Sequence, residues 1–349
     1  MSLKQEMTYE DFRKEFYQEM SGFITETYAD YGITRVEIRQ NYKVNLTYDM
    51  LSVISNKPCL AFPSLNITSM YEEYKSMTDK NYFFPWMKRE LAMAIQDMPK
   101  TADISEITEN PIKAENIIIQ LVNTKQNEEY LKTIPHREFL DLSITYRVLL
   151  SAKPDCLMDF TINNAYLEKM HLTEEYLYEC AMKNMKEKYT IQFAIIGHPN
   201  DIMAASKNSS YVDAQEYKEY ISPLYATTNR LGTYGASSML DSEFLAFMHS
   251  VIGSNYYIIP ASVNELLFVS EKQIPLKLLT EWVESVNFEN VYITQRLSNE
   301  VYFYEQEYGG VRQVTNMPNK SLGVLPQIVD GYNIDHYRSL WIEYMSSLQ

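Results

Sequence analysis

The sequence predicts an α+β fold, with mainly antiparallel sheets and packed helices, organised as two domains. Three observations lead there. Segments whose apolar residues recur every three or four positions are mixed with short segments of period-two alternation, and the strict strand-helix repeat of a doubly wound parallel sheet is missing. Glycine is scarce, 10 residues in 349, well under half the usual ~7%. That disfavours nucleotide folds, whose phosphate loops need backbone to approach the ligand closely. One stretch, Leu224 to Val269, reads in succession as strand, polar turn, helix and hairpin, the centre of the second domain.

Taken in order, Thr8-Tyr9-Glu10-Asp11 is a capping box, and Phe12, Phe16, Met20, Phe23 and Ile24 form one helical stripe that Gly32 ends. Alternation around Val36 and Ile38, then Tyr42, Val44 and Leu46, predicts a hairpin turning at Gln40-Asn41. Cys59 to Phe62 reads as a short strand. A helix follows from Ser69, and another from Trp86 to Met98 with Pro85 at its first position. Lys100 to Glu115 is polar loop. Ile117 to Val122 is a buried strand by its β-branched density. Phe139 to Leu150 is one long strand, paired across a Lys153-Pro154-Asp155 turn with Leu157 to Ile162. Asn163 and Thr173 begin helices, and Phe193 to Ile196 is a strand ended at Gly197-His198-Pro199-Asn200. Lys207 to Glu219 is a surface insertion.

In the central stretch the strand near Leu224 to Thr228 turns through Asn229 to Gly235. A helix then runs from Asp241 to Ile252, capped by Ser237 or Ser238. Tyr256 to Ile259 and Leu266 to Val269 are paired strands. Ile274 to Val286 is a helix, and Val301 to Tyr304 a strand with Tyr302 and Tyr304 on one face and Phe303 on the other. The domain limits expected are residues 1–125, 126–310, and an irregular tail, 311–349, closing in a short helix from Asp335 to Ser346.

Composition narrows the function class. Hydrophobic residues make up 46% and charged residues 22%, as in globular chains with a sizeable core. The net charge is −15, from 46 acidic against 31 basic residues, which disfavours direct nucleic-acid binding. Acidity serves solubility, or a surface that imitates nucleic acid or docks a basic partner. Three widely spaced cysteines, Cys59, Cys156 and Cys180, fit reduced thiols in a cytoplasmic protein. No 18-residue apolar run is present, so no membrane association is expected.

Several segments carry a resemblance. Leu121-Val122-Asn123-Thr124, Ile134-Pro135-His136-Arg137-Glu138-Phe139-Leu140-Asp141-Leu142, Ile162-Asn163-Asn164 and Leu172-Thr173-Glu174-Glu175 are four of them. Thr228-Asn229-Arg230, Gly235-Ala236, Tyr257-Ile258-Ile259-Pro260-Ala261-Ser262 and Val301-Tyr302-Phe303-Tyr304 complete the set. Together they resemble an uncharacterised bacterial family, domain of unknown function 5688, from about Thr8 to Gly309 and most closely after Leu121. The resemblance implies a soluble bacterial protein, often carried on mobile elements of low-GC Gram-positive genomes, with no established activity. It assigns no catalytic residue.

Candidate chemistry is thin. The five histidines and three cysteines include no metal-binding spacing, so neither a metal nor a cofactor is expected. Gly235-Ala236-Ser237-Ser238-Met239 falls short of a nucleophile elbow because Met239 replaces the second glycine. Arg230, between Asn229 and Gly232 and ahead of a helix, could gather an anion with backbone donors; the simpler reading is a structural turn. Pro135-His136-Arg137-Glu138 with Asp141 sets an imidazole, a guanidinium and two carboxylates at the start of a strand. His136 with Asp141 or Glu138 is a candidate general base, and an ion-paired strand start is the structural alternative. The leading expectation is a non-enzymatic binding protein with a protein partner, contacting it through residues such as Arg137, Asn229, Arg230 or Ser237. The alternatives are a hydrolase-like enzyme centred on His136 and Asp141 or on Arg230, and an acidic nucleic-acid mimic.

Overall fold

The computed structural model describes residues 7–56, 63–97, 112–153, 156–196, 203–205, 224–314, 328–329 and 332–333. The expected strand at 59–62, the turn at 197–200, the insertion at 207–219 and the terminal helix at 335–346 lie outside these residues, as do most of the expected 100–115 loop and of the tail. The chain divides into two compact units, Met1–Pro111 and Ile112–Gln349. The strand Ile117–Asn123, grouped with the first domain on sequence, pairs within the second unit.

In the first unit, helix α1 (Tyr9–Thr27) starts at Thr8, whose Oγ1 accepts from the Asp11 N–H at 3.2 Å. Its stripe Phe12, Phe16, Met20 and Ile24 is fully buried. Full burial of each such side chain is worth about 1.5–3 kcal/mol. The rings of Tyr71, Tyr74 and Phe83 surround Phe12 at centroid distances of 5.1 to 5.4 Å. Those partners come from α2 (Ile67–Ser76) and α3 (Phe83–Asp97). Pro85 is the third residue of α3 rather than the first, where its missing N–H is equally harmless.

The helices pack on a sheet of order β1-β2-β3 (Ile33–Lys43, Leu46–Ser55, Leu65–Asn66). The hairpin turn is not at Gln40-Asn41. Both residues lie inside β1, and the chain reverses at Val44-Asn45, where Asn45 takes φ 60°. Asparagine tolerates that left-handed conformation better than most residues.

The second unit holds two larger antiparallel sheets. In the smaller, β6 (Leu142–Lys153) carries β4 (Ile117–Asn123) along one edge. Along its other edge lie β5 (His136–Phe139) and β7 (Cys156–Thr161), end to end. The expected single strand from Phe139 is therefore a hairpin, turning at Leu140-Asp141 with Leu140 at φ 59°. Helix α4 (Glu128–Leu131) precedes β5, while α5 (Asn164–Lys169) and α6 (Glu174–Glu187) follow β7, capped by Asn163 and Thr173.

The larger sheet contains β8 (Ile191–Ile195), β9 (Met203–Ala205), β10 (Tyr225–Asn229), β11 (Tyr256–Ile259), β12 (Leu266–Ser270), β13 (Tyr302–Glu305) and β14 (Gly310–Gln313), in the order β14-β13-β11-β12-β10-β8-β9. Val311 and its neighbours, expected to open the tail, are thus a strand of this sheet. Period two divides its faces. Tyr225, Tyr256, Ile258, Phe268, Tyr302 and Tyr304 join the main core with α7 (Ser242–Ile252), α6 and the smaller sheet. Ala226, Tyr257, Ile259, Leu267, Val269 and Phe303 pack on α8 (Leu276–Asn290). Helix α7 is capped by Asp241, whose Oδ1 accepts from the Glu243 and Phe244 N–H groups at 3.0 and 3.1 Å. Ser237 and Ser238, the expected caps, lie instead in a 3-10 turn, Gly235–Leu240.

Candidate functional site

The residues singled out from sequence fall into three separate places. At the start of β5, His136 is exposed and its Nδ1 lies 3.1 Å from the Ile134 carbonyl. Arg137, on the opposite strand face, grips Glu174 in a fork, Nε–Oε1 3.2 Å and Nη2–Oε2 2.8 Å. Its Nη2 also donates to Glu175 at 2.5 Å, and its guanidinium stacks 4.0 Å from the Tyr178 ring centroid. These acids open α6, where negative charge suits the free backbone N–H groups. The Glu174 hydrogen bonds hold the Arg137 proton well above its ordinary range. Tyr146 also donates to Glu174 Oε1, and burial, reinforced by that carboxylate, pushes its phenol far up. Glu138 is exposed, and Arg137 is spent on joining β5 to α6.

Asp141 does not meet His136. It sits in the β5–β6 turn, where Tyr302 Oη donates to Oδ1 and Ser298 Oγ to Oδ2, both at 2.7 Å, with Asn123 Nδ2 at 3.4 Å. The carboxylate ties the smaller sheet to β13 of the larger. His136 turns instead to the Ile134 carbonyl, and no hydrogen bond joins its ring to this carboxylate.

The third place is the loop from Asn229 to Ser237. Asn229 is buried; its Oδ1 accepts from the Leu231 N–H at 2.9 Å and its Nδ2 donates to the Thr233 carbonyl at 2.7 Å. Ser237 Oγ donates to the Tyr234 carbonyl at 2.8 Å, and Ser238 is 1% exposed, so neither hydroxyl is presented as a nucleophile. Arg230 is exposed and makes no ion pair among the described residues. The loop lies against the Asn264 turn. Asn264 Oδ1 accepts from the Tyr234 N–H at 3.0 Å, and Gly235 lies so close that a Cβ there would meet Asn264 O at 2.4 Å.

Beside this loop runs a narrow cleft lined by Ile118, Met185, Tyr189, Asn229, Tyr234 and Ser237 among others. Its free space is about that of one water molecule, far short of the ~300–1,000 Å³ of small-molecule sites. Asn229 and Ser237 line it; His136, Arg137 and Arg230 do not.

Next to the cleft is a charge cluster that sequence reading missed. Arg147 and Asp159 are diagonal neighbours on one face of β6 and β7, 17% and 7% exposed, and joined as an ion pair. Arg147 Nη1 donates to Thr161 Oγ1 at 2.6 Å and to Gln120 Oε1 at 3.3 Å. Tyr234 Oη donates to Asp159 Oδ2 at 3.1 Å, from a backbone held at φ 57°. Burial, then the neighbouring carboxylate, raise the Tyr234 phenol to about 12, against the partial relief of Arg147. Both charges are desolvated and fully partnered, so the cluster is a clamp between loop and sheet rather than a source of free acid or base. An arginine as the one charged residue between Ile144 and Leu150 was the available signal.

Among the described residues, no group of three or more His, Cys, Asp and Glu could hold a metal ion, and no helix is long and apolar enough to cross a membrane. Cys180 is half-buried against the main core.

What the second unit does display is aromatic. Phe288 is 77% and Tyr292 65% exposed, at the C-terminal end of α8. Arg296 fastens that end: Nε donates to the Val291 carbonyl at 2.8 Å, Nη2 to the Phe288 carbonyl at 3.0 Å, and its guanidinium lies 5.8 Å from the Phe288 ring centroid. Asn287, buried beneath, donates to the Ser298 carbonyl at 2.9 Å.

No curated protein and no solved structure matches the chain. The model of one family of unknown function matches residues 9–306, spanning both units. With most of its length so matched, the chain belongs to the family of unknown function DUF5688.

Proposed function

We propose that this is a cytoplasmic binding protein that works by engaging another protein, not by catalysis, with the aromatic end of α8 as its contact surface. The observation that carries the reading is the pair Phe288 and Tyr292, large rings exposed on a backbone that Arg296 and Asn287 fasten from below. Aromatic side chains beside an arginine are the composition of binding hot spots, and a fastened backbone loses little entropy on docking. The internal engagement of Arg137, Asp141, Asn229, Ser237 and Asp159 supports the same view. Few, widely spaced cysteines and acidic composition favour the cytoplasm, and the resemblance noted above favours an accessory role on a bacterial mobile element.

A photo-crosslinking residue at position 288 or 292, introduced in cells, tests this. One recurrent protein adduct is expected, absent when the probe sits at exposed Glu10, and lost when Tyr292→Ala accompanies the probe at 288. Adducts at 288 as scattered as those at position 10 would refute it.

A further inference from the structure

Strand β1 is the outer strand of the three-stranded sheet, 11 residues long, and among the described residues no other strand pairs with its free edge. Its register shows which backbone groups face outward. Lys43 and Leu46 flank a two-residue turn, so they form a hydrogen-bonded pair, as do Asn41 with Tyr48, Arg39 with Met50 and Glu37 with Ser52. The N–H and C=O groups of Val36, Ile38, Gln40 and Tyr42 therefore point away from β2. Tyr17 Oη, donating to the Val36 carbonyl at 3.2 Å, sits on that side and leaves the second lone pair open. No proline interrupts the strand, and its irregularity is confined to Ile33/Arg35. Edges of this length are normally blunted, covered or paired.

On the face of β1 away from the core, Arg35, Glu37 and Arg39 alternate in sign, with both guanidiniums turned onto Glu37. We propose that this edge pairs with β1 of a second copy of the chain, antiparallel about a two-fold axis at Ile38, so that two sheets become one. The occupant is chosen by charge. Centred on Ile38, all of β1 overlaps its mate, Glu37 lies opposite the partner's Arg39, and Arg39 opposite the partner's Glu37. Sliding the register one way sets Glu37 against the partner's Glu37 and Arg35 against the partner's Arg39. Sliding it the other way sets Arg39 against the partner's Arg39 and Arg35 against the partner's Lys43. Only the centred register gives full overlap without like charges face to face, and unlike cross-strand pairs favour pairing as like pairs oppose it. In that register Val36 meets the partner's Gln40, and Ile38 the partner's Ile38, each through outward backbone groups. The interface is isologous, as a two-fold dimer requires.

Sedimentation of the full chain over a dilution series is expected to show twice the chain mass, dissociating on dilution. Glu37→Arg makes the stripe wholly basic, and Arg35→Glu with Arg39→Glu makes it wholly acidic. Each variant alone is expected to associate roughly tenfold or more weakly. An equimolar mixture of the two is expected to recover association, because each stripe then opposes its complement. Gln40→Pro removes an outward donor while sparing the β1–β2 ladder, and is expected to leave a folded monomer by circular dichroism. A wild-type chain that stays monomeric throughout, reversed variants that associate as tightly as wild type, or a mixture no tighter than its components would each overturn the proposal.

Discussion

Replacing Gly235 by alanine tests how tightly the Asn229–Ser237 loop is closed on its neighbours. The added Cβ would lie 2.4 Å from the Asn264 carbonyl oxygen, 2.6 Å from Thr228 Cα and 2.8 Å from Thr228 Oγ1. Two of these are backbone atoms, so no side-chain rotation relieves the overlap. Restoring contact distance moves the Asn264 turn by roughly 1 Å. That turn accepts from the Tyr234 N–H at 3.0 Å, Thr233 Oγ1 at 3.2 Å and Thr228 Oγ1 at 3.1 Å. At about 1 kcal/mol net for each bond, losing them costs about 3 kcal/mol, before the strain of overpacking. For a unit of this size that lowers the melting temperature by about 6–12 °C. Gly232→Ala is the control. Gly232 has φ +67° but nothing within 4 Å, so it incurs only the left-handed penalty of about 1 kcal/mol. Differential scanning calorimetry of both variants decides. Equal melting temperatures would refute the claim that close approach, rather than backbone conformation, fixes glycine at 235.

Arg137→Lys keeps the charge but loses the fork on Glu174 and the stacking on Tyr178; a loss of about 1–2 kcal/mol is expected by calorimetry, and no change would mean the ion pair is not held in solution. Tyr302→Phe removes a donor from Asp141 and should cost about 1–3 kcal/mol, with a cycle against Asp141→Ala showing non-additive coupling. Tyr234 holds its proton to about 12 when folded and to ~10 when unfolded, so the unfolded chain loses that proton first. Its stabilising contribution is whole below pH ~10 and disappears as pH rises towards about 12. Tyr234→Phe should flatten the fall of stability across that window, followed as tyrosinate absorbance against unfolding; an unchanged slope would contradict the buried setting of this phenol.

Much of the fold was legible because local chemistry and final structure agree. Thr8, Asn163 and Thr173 cap the helices their positions announced, and Tyr302, Phe303 and Tyr304 alternate between two cores as period two requires. The misreadings have physical sources. Gln40-Asn41 has turn chemistry, yet pairing with β2 continues unbroken to Lys43, and Asn45 supplies the left-handed residue. Leu140, an exposed leucine at φ 59°, gives no propensity signal for the turn it occupies. Ser237 and Ser238 precede α7, but the 3-10 turn delays the helix until Asp241, the stronger cap. The candidate site was legible only as a set of polar residues. Whether His136 reaches Asp141 depends on strand pairing and on Tyr302, 161 positions away along the chain. The same limit hid Arg147 and Asp159, neighbours only once β6 and β7 are in register.

The long strand β6, bordered by two hairpin mates on one side and β4 on the other, has a kinetic meaning. All its neighbours lie close in sequence, so the smaller sheet can assemble at low loop-closure entropy. The Asp141–Tyr302 bond closes a far longer loop, and becomes affordable only after that sheet exists. The expected order in pulse-labelling hydrogen exchange is protection of the smaller sheet first, then capture of the far strand β13 by the Asp141 carboxylate.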